Sequence, residues 1–254
     1  MKEKRTKNEI SSLLRSEGMF LHGFAAVSRP PPTSVHLSLK IPLEGARTVV
    51  CYGVPIPKGI LYAKSNNLDL YWRYCNLQYR TLDSVSNRLC LFLEEKNCSA
   101  TPIYSCFPWK VANREFWGHL PLVYWAEEAG LGRLAKCGLL ATPQCGTRIL
   151  LGGVLATLEA EPDEKIKGDI CPPDCFDCID ACPVKAIKRM GKVDHNLCIR
   201  HSSSNPLLAL VLDSQSIRKS YSFDKILNTV AVDDHGTYSC FECLRACRLN
   251  YTSI

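Results

Sequence analysis

The sequence predicts an α+β protein in two parts, a helix-and-strand domain over residues 1–160 and a cysteine-organised domain over residues 161–254. Three observations carry this. The runs Arg47–Val54 and Thr147–Leu158 are short, apolar and rich in β-branched residues, as fully buried strands are. Leu68–Lys96 spaces Leu70, Tyr74, Leu77, Leu82, Val85, Leu89, Leu91 and Leu93 over a length no strand reaches, which predicts a long helix. Of the 15 cysteines, those at 171, 175, 178, 182, 198, 240, 243 and 247 have short, ordered spacing, whereas the other seven are scattered.

The remaining elements follow in chain order. Lys4–Phe20 places Ile10, Leu13 and Leu14 on one face and meets Gly18, a short amphipathic helix with its stop signal. Arg29–Ser34, with Pro30, Pro31 and Pro32 in a row, reads as a rigid exposed loop. Asn97–Trp109 carries turn chemistry and a short strand, Pro121–Ala129 a helix ended by Gly130, and Gly138–Leu140 a further strand. The acidic, proline-containing stretch Glu159–Asp169 marks the boundary between the two parts. Cys51, Cys75 and Cys90 fit core positions, since free cysteine packs as a small hydrophobe.

With 46% hydrophobic and 22% charged residues the chain is no disordered tail. Its longest uncharged apolar run, Ile149–Leu158, is about half of the ~20 residues that span a bilayer, so no membrane helix is expected. The N-terminus is basic but lacks the apolar stretch of a secretory signal, which makes the cytoplasm the expected compartment. A reducing cytoplasm disfavours structural disulfides and turns the ordered cysteines toward metal. The formal charge of +6 points weakly to acidic partners. Ligation of two iron-sulfur cubanes by eight thiolates would reduce it to about +2.

The first cysteine set is Cys171-x3-Cys175-x2-Cys178-x3-Cys182-Pro183, one residue longer in its first gap than the bacterial ferredoxin run Cys-x2-Cys-x2-Cys-x3-Cys-Pro. The second is Cys240-x2-Cys243-x3-Cys247, with Cys198 supplied from upstream. Under the crossed rule of two-cluster ferredoxins, Cys171, Cys175, Cys178 and Cys247 hold one [4Fe-4S] cluster, and Cys182, Cys198, Cys240 and Cys243 the other. Zinc in four-cysteine sites is the competing reading, because it also uses Cys-x2-Cys pairs. The Cys-Pro step and the x2/x3 spacing favour cubanes. The stretch Val184–Val193 is expected to form the short helix that follows a ferredoxin Cys-Pro.

Further residues carry a resemblance: Gly45-Ala46-Arg47, Arg73-Tyr74, Asn87-Arg88-Leu89, Ala126-Glu127-Glu128-Ala129-Gly130-Leu131-Gly132, Leu151-Gly152 and Leu158-Glu159-Ala160-Glu161-Pro162-Asp163, followed by the eight cysteines. In these the chain resembles the epoxyqueuosine reductases and, more distantly, the reductive dehalogenases, as a short, divergent member. The resemblance implies a nitroreductase-like α/β domain that holds a cobalamin, with FMN as the alternative, and a ferredoxin module that feeds it electrons. It nominates Arg73, Tyr74, Gly130, Gly132 and Gly152 as cofactor-binding.

The chain departs from that family where a catalytic aspartate, the proton donor, is expected. An ungapped match puts Phe116 there and a match with an insertion puts Ser105 there, neither a carboxylate. Reduction at carbon needs a proton as well as electrons, and Glu115 and Tyr104 are the substitute candidates, with Cys106 and His119 behind them. Asn76-Leu77-Gln78-Tyr79-Arg80 replaces the family's Arg-Asp-Tyr-His stretch, and Arg248-Leu249 replaces Pro-Trp after the last cysteine. Tyr71, Trp72, Tyr74 and Tyr79, near Arg73 and Arg80, either stack on a planar cofactor or fill the core. Cys137 and Cys145 either line a cofactor cavity or form a redox pair.

The expected function is an iron-sulfur oxidoreductase that relays electrons through two [4Fe-4S] clusters to the first domain. The alternative is a non-catalytic partner that hands them to another protein or a protein-bound corrinoid. A ferredoxin or flavodoxin is the expected donor, a small-molecule or protein-bound substrate the expected acceptor, and an oxygen-poor host the expected setting. The family's helical region beyond the last cysteine has no counterpart after Cys247, so transfer RNA is not an expected partner.

Overall fold

The computed structural model describes residues 2–31, 41–105, 110–112, 115–117, 120–188, 192–202 and 239–251. Its centre is a four-stranded antiparallel sheet in the order β1-β2-β8-β3, formed by β1 (Leu21–Ala26), β2 (Thr48–Pro55), β3 (Ala100–Ile103) and β8 (Ile149–Ala156). The two central strands are the apolar runs that the sequence marks. They read as continuous because both faces of the sheet are covered. Val50, Tyr52, Val54, Leu150 and Val154 point into one core, against α1 (Lys2–Ser16) and α3 (Asn67–Glu94). Val49, Cys51, Leu151 and Leu155 point into the other, against α4 (Leu122–Glu128).

A pair of glycines lets both layers close on β8. A Cβ on Gly152 would stand 3.0 Å from the Tyr52 ring and 3.2 Å from Leu82 of α3, and one on Gly153 would stand 2.8 Å from Leu122 of α4. The α3 contact is fixed by a buried polar pin: Ser86 meets the Tyr52 hydroxyl at 2.5 Å and donates to the Gly153 carbonyl at 3.2 Å. Pro102 sits on β3, at the sheet edge, where its missing N–H costs no ladder bond.

The helix ends obey their glycines. The chain leaves α1 through Gly18 at φ +78°, with the Met19 N–H returned to the Leu14 carbonyl at 2.8 Å. It leaves α4 through Gly130 at φ +74°, with Leu131 N–H on the Ala126 carbonyl at 3.0 Å. A short α2 (Lys58–Tyr62) precedes α3, while β4 (Lys110–Ala112) pairs with β5 (Glu115–Trp117) and β6 (Arg133–Leu134) with β7 (Leu140–Ala141). The Glu159–Asp169 stretch has no regular structure but is tied down. The Asp163 carboxylate accepts from the Phe24 N–H at 2.9 Å and from Lys7 at 2.6 Å, and Glu159 pairs with Arg47.

Beyond it lie α5 (Asp177–Asp180), α6 (His195–Ser202), α7 (Glu242–Ala246) and a 3-10 turn at Arg248–Asn250. The helix expected over Val184–Val193 is not formed by its described residues. Lys185 takes a positive φ of 53°, Ile187 and Val193 form an antiparallel bridge, and Lys188 N–H meets the Lys192 carbonyl at 2.8 Å, so this segment doubles back as a ribbon. The two parts also share a core: Phe241 and Leu244 of the cysteine-rich part pack with α1, α3 and the sheet, and Tyr71 stacks on Phe241 at 4.6 Å.

The tightest backbone approach generates a stability test. A Cβ on Gly23 of β1 would stand 2.1 Å from the Ala129 carbonyl oxygen. Gly23→Ala is therefore expected to destabilise the fold by about 1–3 kcal/mol or more through overpacking. Gly59→Ala, in α2 with nothing within 4 Å, should be neutral or stabilising by up to about 1 kcal/mol. Denaturant unfolding of the two variants checks the contrast.

Candidate iron-sulfur centre

The two cysteine motifs fold alike because they are alike. Cys175-Phe176-Asp177-Cys178 and Cys240-Phe241-Glu242-Cys243 each place a cysteine, an N-capping phenylalanine and an acidic first-turn residue before a one-turn helix, α5 or α7. Cys182 and Cys247 follow each helix by the same x3 step. The helices pack against each other. Arg248 clamps them by two bonds of 2.8 Å to the Asp177 carboxylate, whose pKa that guanidinium draws below the usual range. Cys198 comes from α6.

The thiols fall into two neighbourhoods. Burial raises the pKa of Cys247, with smaller help from the nearby Cys171 and Cys178, and Cys175 shares the loop of Cys171. Cys198 feels Cys182 and Cys240, and burial pushes Cys243 up to about 12 with help from Cys198, Cys240 and Cys178. Most are shielded: Cys175, Cys178, Cys182 and Cys247 are buried, while Cys171, Cys198, Cys240 and Cys243 are partly so. Donors also reach the sulfurs. Ala186 N–H, freed by the turn after Cys182-Pro183, points at the Cys182 sulfur at 3.2 Å, and the Ser202 hydroxyl bonds Cys198.

Besides the shared core, the first domain grips this module through residues 133–148. Lys136 Nζ donates to three carbonyls of the cysteine loop, Pro172 at 2.7 Å, Pro173 at 2.8 Å and Cys175 at 2.8 Å, and lies 4.9 Å over the Phe176 ring. Its positive charge helps to lower the pKa of Cys178. Asn250, fully buried, accepts from the Thr147 N–H at 2.8 Å and donates to Thr147 Oγ1 at 3.0 Å and to the Leu244 carbonyl at 2.6 Å. Gly146, at φ +59°, makes room: a Cβ there would stand 2.5 Å from Asn250 Oδ1. Cys137 faces Cys178 in the third core, and Cys145 faces Thr142 at 3.0 Å; these are the contacts found in place of a Cys137–Cys145 pair.

Among the described residues no three His, Cys, Asp or Glu side chains converge closely enough to hold a single metal ion. A four-iron cubane is a larger body whose ligand sulfurs stand wider apart. Eight neighbouring cysteines, four buried and four partly so, with the Ala186 N–H aimed at the Cys182 sulfur, fit that donor chemistry.

The residues expected to bind a cofactor in the first domain are dispersed. Arg73 is exposed on α3, and the Tyr74 hydroxyl donates to the Pro55 carbonyl at 2.7 Å. The three glycines face the chain's own atoms: a Cβ on Gly130 would stand 2.4 Å from the Glu164 carbonyl oxygen, and one on Gly132 would stand 2.2 Å from that of Ala141. Gly152 faces α3. None of the three opens a cradle for a planar ring, so at these positions the described residues do not fit a corrinoid. An open pocket of about 330 Å³ lies between Ala26, Arg29, Glu128 and the 162–167 stretch, where Lys165 is already paired with Glu128 at 2.5 Å.

Of the proton-donor candidates, the Tyr104 hydroxyl donates to Asn87 at 3.3 Å. The backbone of Glu115 pairs with Ala112 in the β4–β5 hairpin; its side chain, that of Phe116, and residues Cys106 and His119 lie outside the described set. So does most of the proline loop from residue 32 onward. Sequence reasoning passed over Asp83. Its carboxylate, one helical turn before Asn87 on α3, accepts the Ser105 N–H at 3.0 Å, which brings an acid to the segment where the sequence shows none. The i, i+4 pair Asp83/Asn87 was the available signal.

No protein-family model matches the chain. Curated relatives match a part of it. An epoxyqueuosine reductase of Staphylococcus aureus (strain NCTC 8325 / PS 47) is 38% identical over 74 residues, 29% of this chain and 19% of the relative. One of Synechococcus sp. (strain RCC307) is 41% identical over 75 residues, 30% of this chain and 23% of the relative. The fold match is broader: a crystal structure of selenomethionine-labelled epoxyqueuosine reductase superposes with TM-score 0.63 at 20% identity, over 98% of this chain and 66% of that one. The chain is related to the epoxyqueuosine reductases. The likeness is to the family that the motifs quoted from the sequence led one to expect. A reductive dehalogenase whose structure was used to suggest a mechanism for B12-dependent dehalogenation shares the fold at TM-score 0.55 and 17% identity, over 76% of this chain and 28% of that one. The chain spans less than two thirds of these solved proteins, and its sequence match spans about a fifth of the curated reductases. Among the described residues no helix is long and apolar enough to cross a membrane.

The buried amide of Asn250 generates a test of the grip. Asn250→Ala removes three bonds and leaves the Thr147 N–H buried without a partner, and a loss of about 2–4 kcal/mol is expected. Denaturant titration of anaerobically prepared protein, against the unsubstituted chain, measures it.

Proposed function

We propose that the protein is an iron-sulfur oxidoreductase in which Cys171, Cys175, Cys178 and Cys247 hold one [4Fe-4S] cluster and Cys182, Cys198, Cys240 and Cys243 the other. What supports the proposal is the packing of the two Cys-Phe-acid-Cys turns against each other, with Cys247 near Cys171 and Cys178 and Cys240 near Cys182, as crossed ligation would need. When bound, such clusters accept and release single electrons. The chain's own residues bury four of the eight cysteines, hold the two loops in register through Lys136, Arg248 and Asn250, and donate the Ala186 N–H to the Cys182 sulfur.

The electrons pass toward the first domain and a substrate there; the kinship would supply a corrinoid, or a flavin in its place, which the positions Gly130, Gly132 and Gly152 do not fit. Donation by a ferredoxin or flavodoxin completes the relay. A second reading, a carrier that passes electrons to another protein, is favoured by the absence of a carboxylate at Ser105 and Phe116; Asp83, bonded to the Ser105 N–H, speaks for the enzyme. Iron and cobalt analysis after anaerobic expression with cobalamin separates the two: about eight irons with stoichiometric cobalt supports the enzyme, and iron without cobalt or flavin the carrier.

The crossed assignment makes its own prediction. Cys182→Ala should spare the cluster held by Cys171, Cys175 and Cys178, and Cys247→Ala should spare the one held by Cys240 and Cys243. Electron paramagnetic resonance of each reduced variant reads this, and loss of the cluster nearest in sequence would refute the crossing.

A further inference from the structure

The outer face of α3 carries a repeat that packing within the chain does not use. The inner face, with Cys75, Leu82, Val85, Leu89 and Leu93, is buried in the first core. Away from it, at seven-residue steps, stand Leu70, Leu77, Ser84 and Leu91, all exposed, the three leucines by 48%, 60% and 62%. Charge along this face changes sign. Arg73 and Arg80 lie in the first half, and Glu94 and Glu95 at the end, all four exposed. The charges between and beside them are engaged nearby: Asp69 accepts from Trp72 Nε1 at 3.3 Å, Asp83 accepts the Ser105 N–H at 3.0 Å, and Arg88 pairs with Glu17 at 2.6 Å.

We propose that this face is a self-association surface, on which a second copy of the chain lays its own α3 antiparallel, with the two-fold axis at Ser84. Positions equidistant from that axis face each other, as an isologous interface requires. Leu77 then meets the partner's Leu91, Arg73 meets the partner's Glu95, and Arg80 lies beside the partner's Asn87. A parallel pair would set each arginine and each glutamate against its own copy, so the charge pattern selects the antiparallel one. Exposed ion pairs add little affinity, and burial of the leucines supplies the attraction. A seven-residue repeat drifts by about 20° per step around an α-helix, so two such seams stay in contact by crossing at about 20°. Small Ser84 at the crossing point lets the helices approach, and from Leu70 to Leu91 the seam runs roughly 32 Å. Nothing in this depends on which metal the cysteines hold.

Sedimentation velocity of anaerobically purified full-length protein, over about 1–100 µM, tests the proposal, because a seam of this size implies micromolar affinity. The unsubstituted chain should pass from monomer to dimer across that range. Leu77→Glu and Leu91→Glu, at exposed positions that leave the core intact, should each raise the dissociation constant by about tenfold or more, the cost of burying an unpaired charge. Arg73→Glu should weaken the dimer by several-fold, and adding Glu95→Arg should return it to within about twofold of the unsubstituted value. Circular dichroism of each variant confirms that α3 is retained. A monomer at every concentration would overturn the proposal, as would a dimer that both leucine variants leave unchanged. A double charge exchange no better than Arg73→Glu alone would overturn the antiparallel register at Ser84.

Discussion

The ammonium of Lys136, bonded to three carbonyls of the first cysteine loop, is the constraint on which the second half of the molecule depends. That loop has almost no regular structure: α5 is a single turn, and the carbonyls before it have no helix or strand to satisfy them. Lys136 satisfies three at once, from a ribbon carried by the first domain. Its charge also lies over the Phe176 ring, 4.9 Å from the centroid. Asn250 does for the second loop what Lys136 does for the first, with a neutral amide and in full burial.

Much of this was legible in the sequence. The central strands announced themselves because both faces are buried, so no polar residue interrupts them, and Gly18 and Gly130 marked the helix ends by the backbone conformation they alone adopt easily. The cysteine set was legible from spacing. What was not legible depended on distant partners. β1, Leu-His-Gly-Phe-Ala-Ala, has little strand character of its own and is a strand because β2 pairs with it. The 184–193 stretch was expected to be helical, but Lys185 at positive φ turns it back on itself and frees the Ala186 N–H for a sulfur. Lys136, Cys137, Thr147 and Asn250 carry no motif at all: their roles exist only once two separated segments meet.

The first domain is more conservative in frame than in detail. It keeps the fold of the reductases at 20% identity while Gly130, Gly132 and Gly152 are each accounted for by packing against the chain itself. Such glycines record the architecture of a family more faithfully than its chemistry, because close backbone approach constrains them in every member that keeps the fold. The acid near Ser105 shows the complementary freedom: α3 delivers a carboxylate from Asp83 to a segment that has none of its own.

The repeated Cys-Phe-acid-Cys turn has a consequence for biogenesis. Cys171, Cys175 and Cys178 lie next to Cys247, and Cys182 lies next to Cys240, so each thiol group draws on both copies of the turn. Neither group is whole in a nascent chain until residues 240–247 have left the ribosome. The strands of the central sheet are all synthesised by Ala156, whereas Phe241 and Leu244, which share its core, come with the second turn. Any cluster that drew on both turns would load only once residues 240–247 are available, and a chain truncated before the second turn would present half-built thiol groups to any oxidant it met.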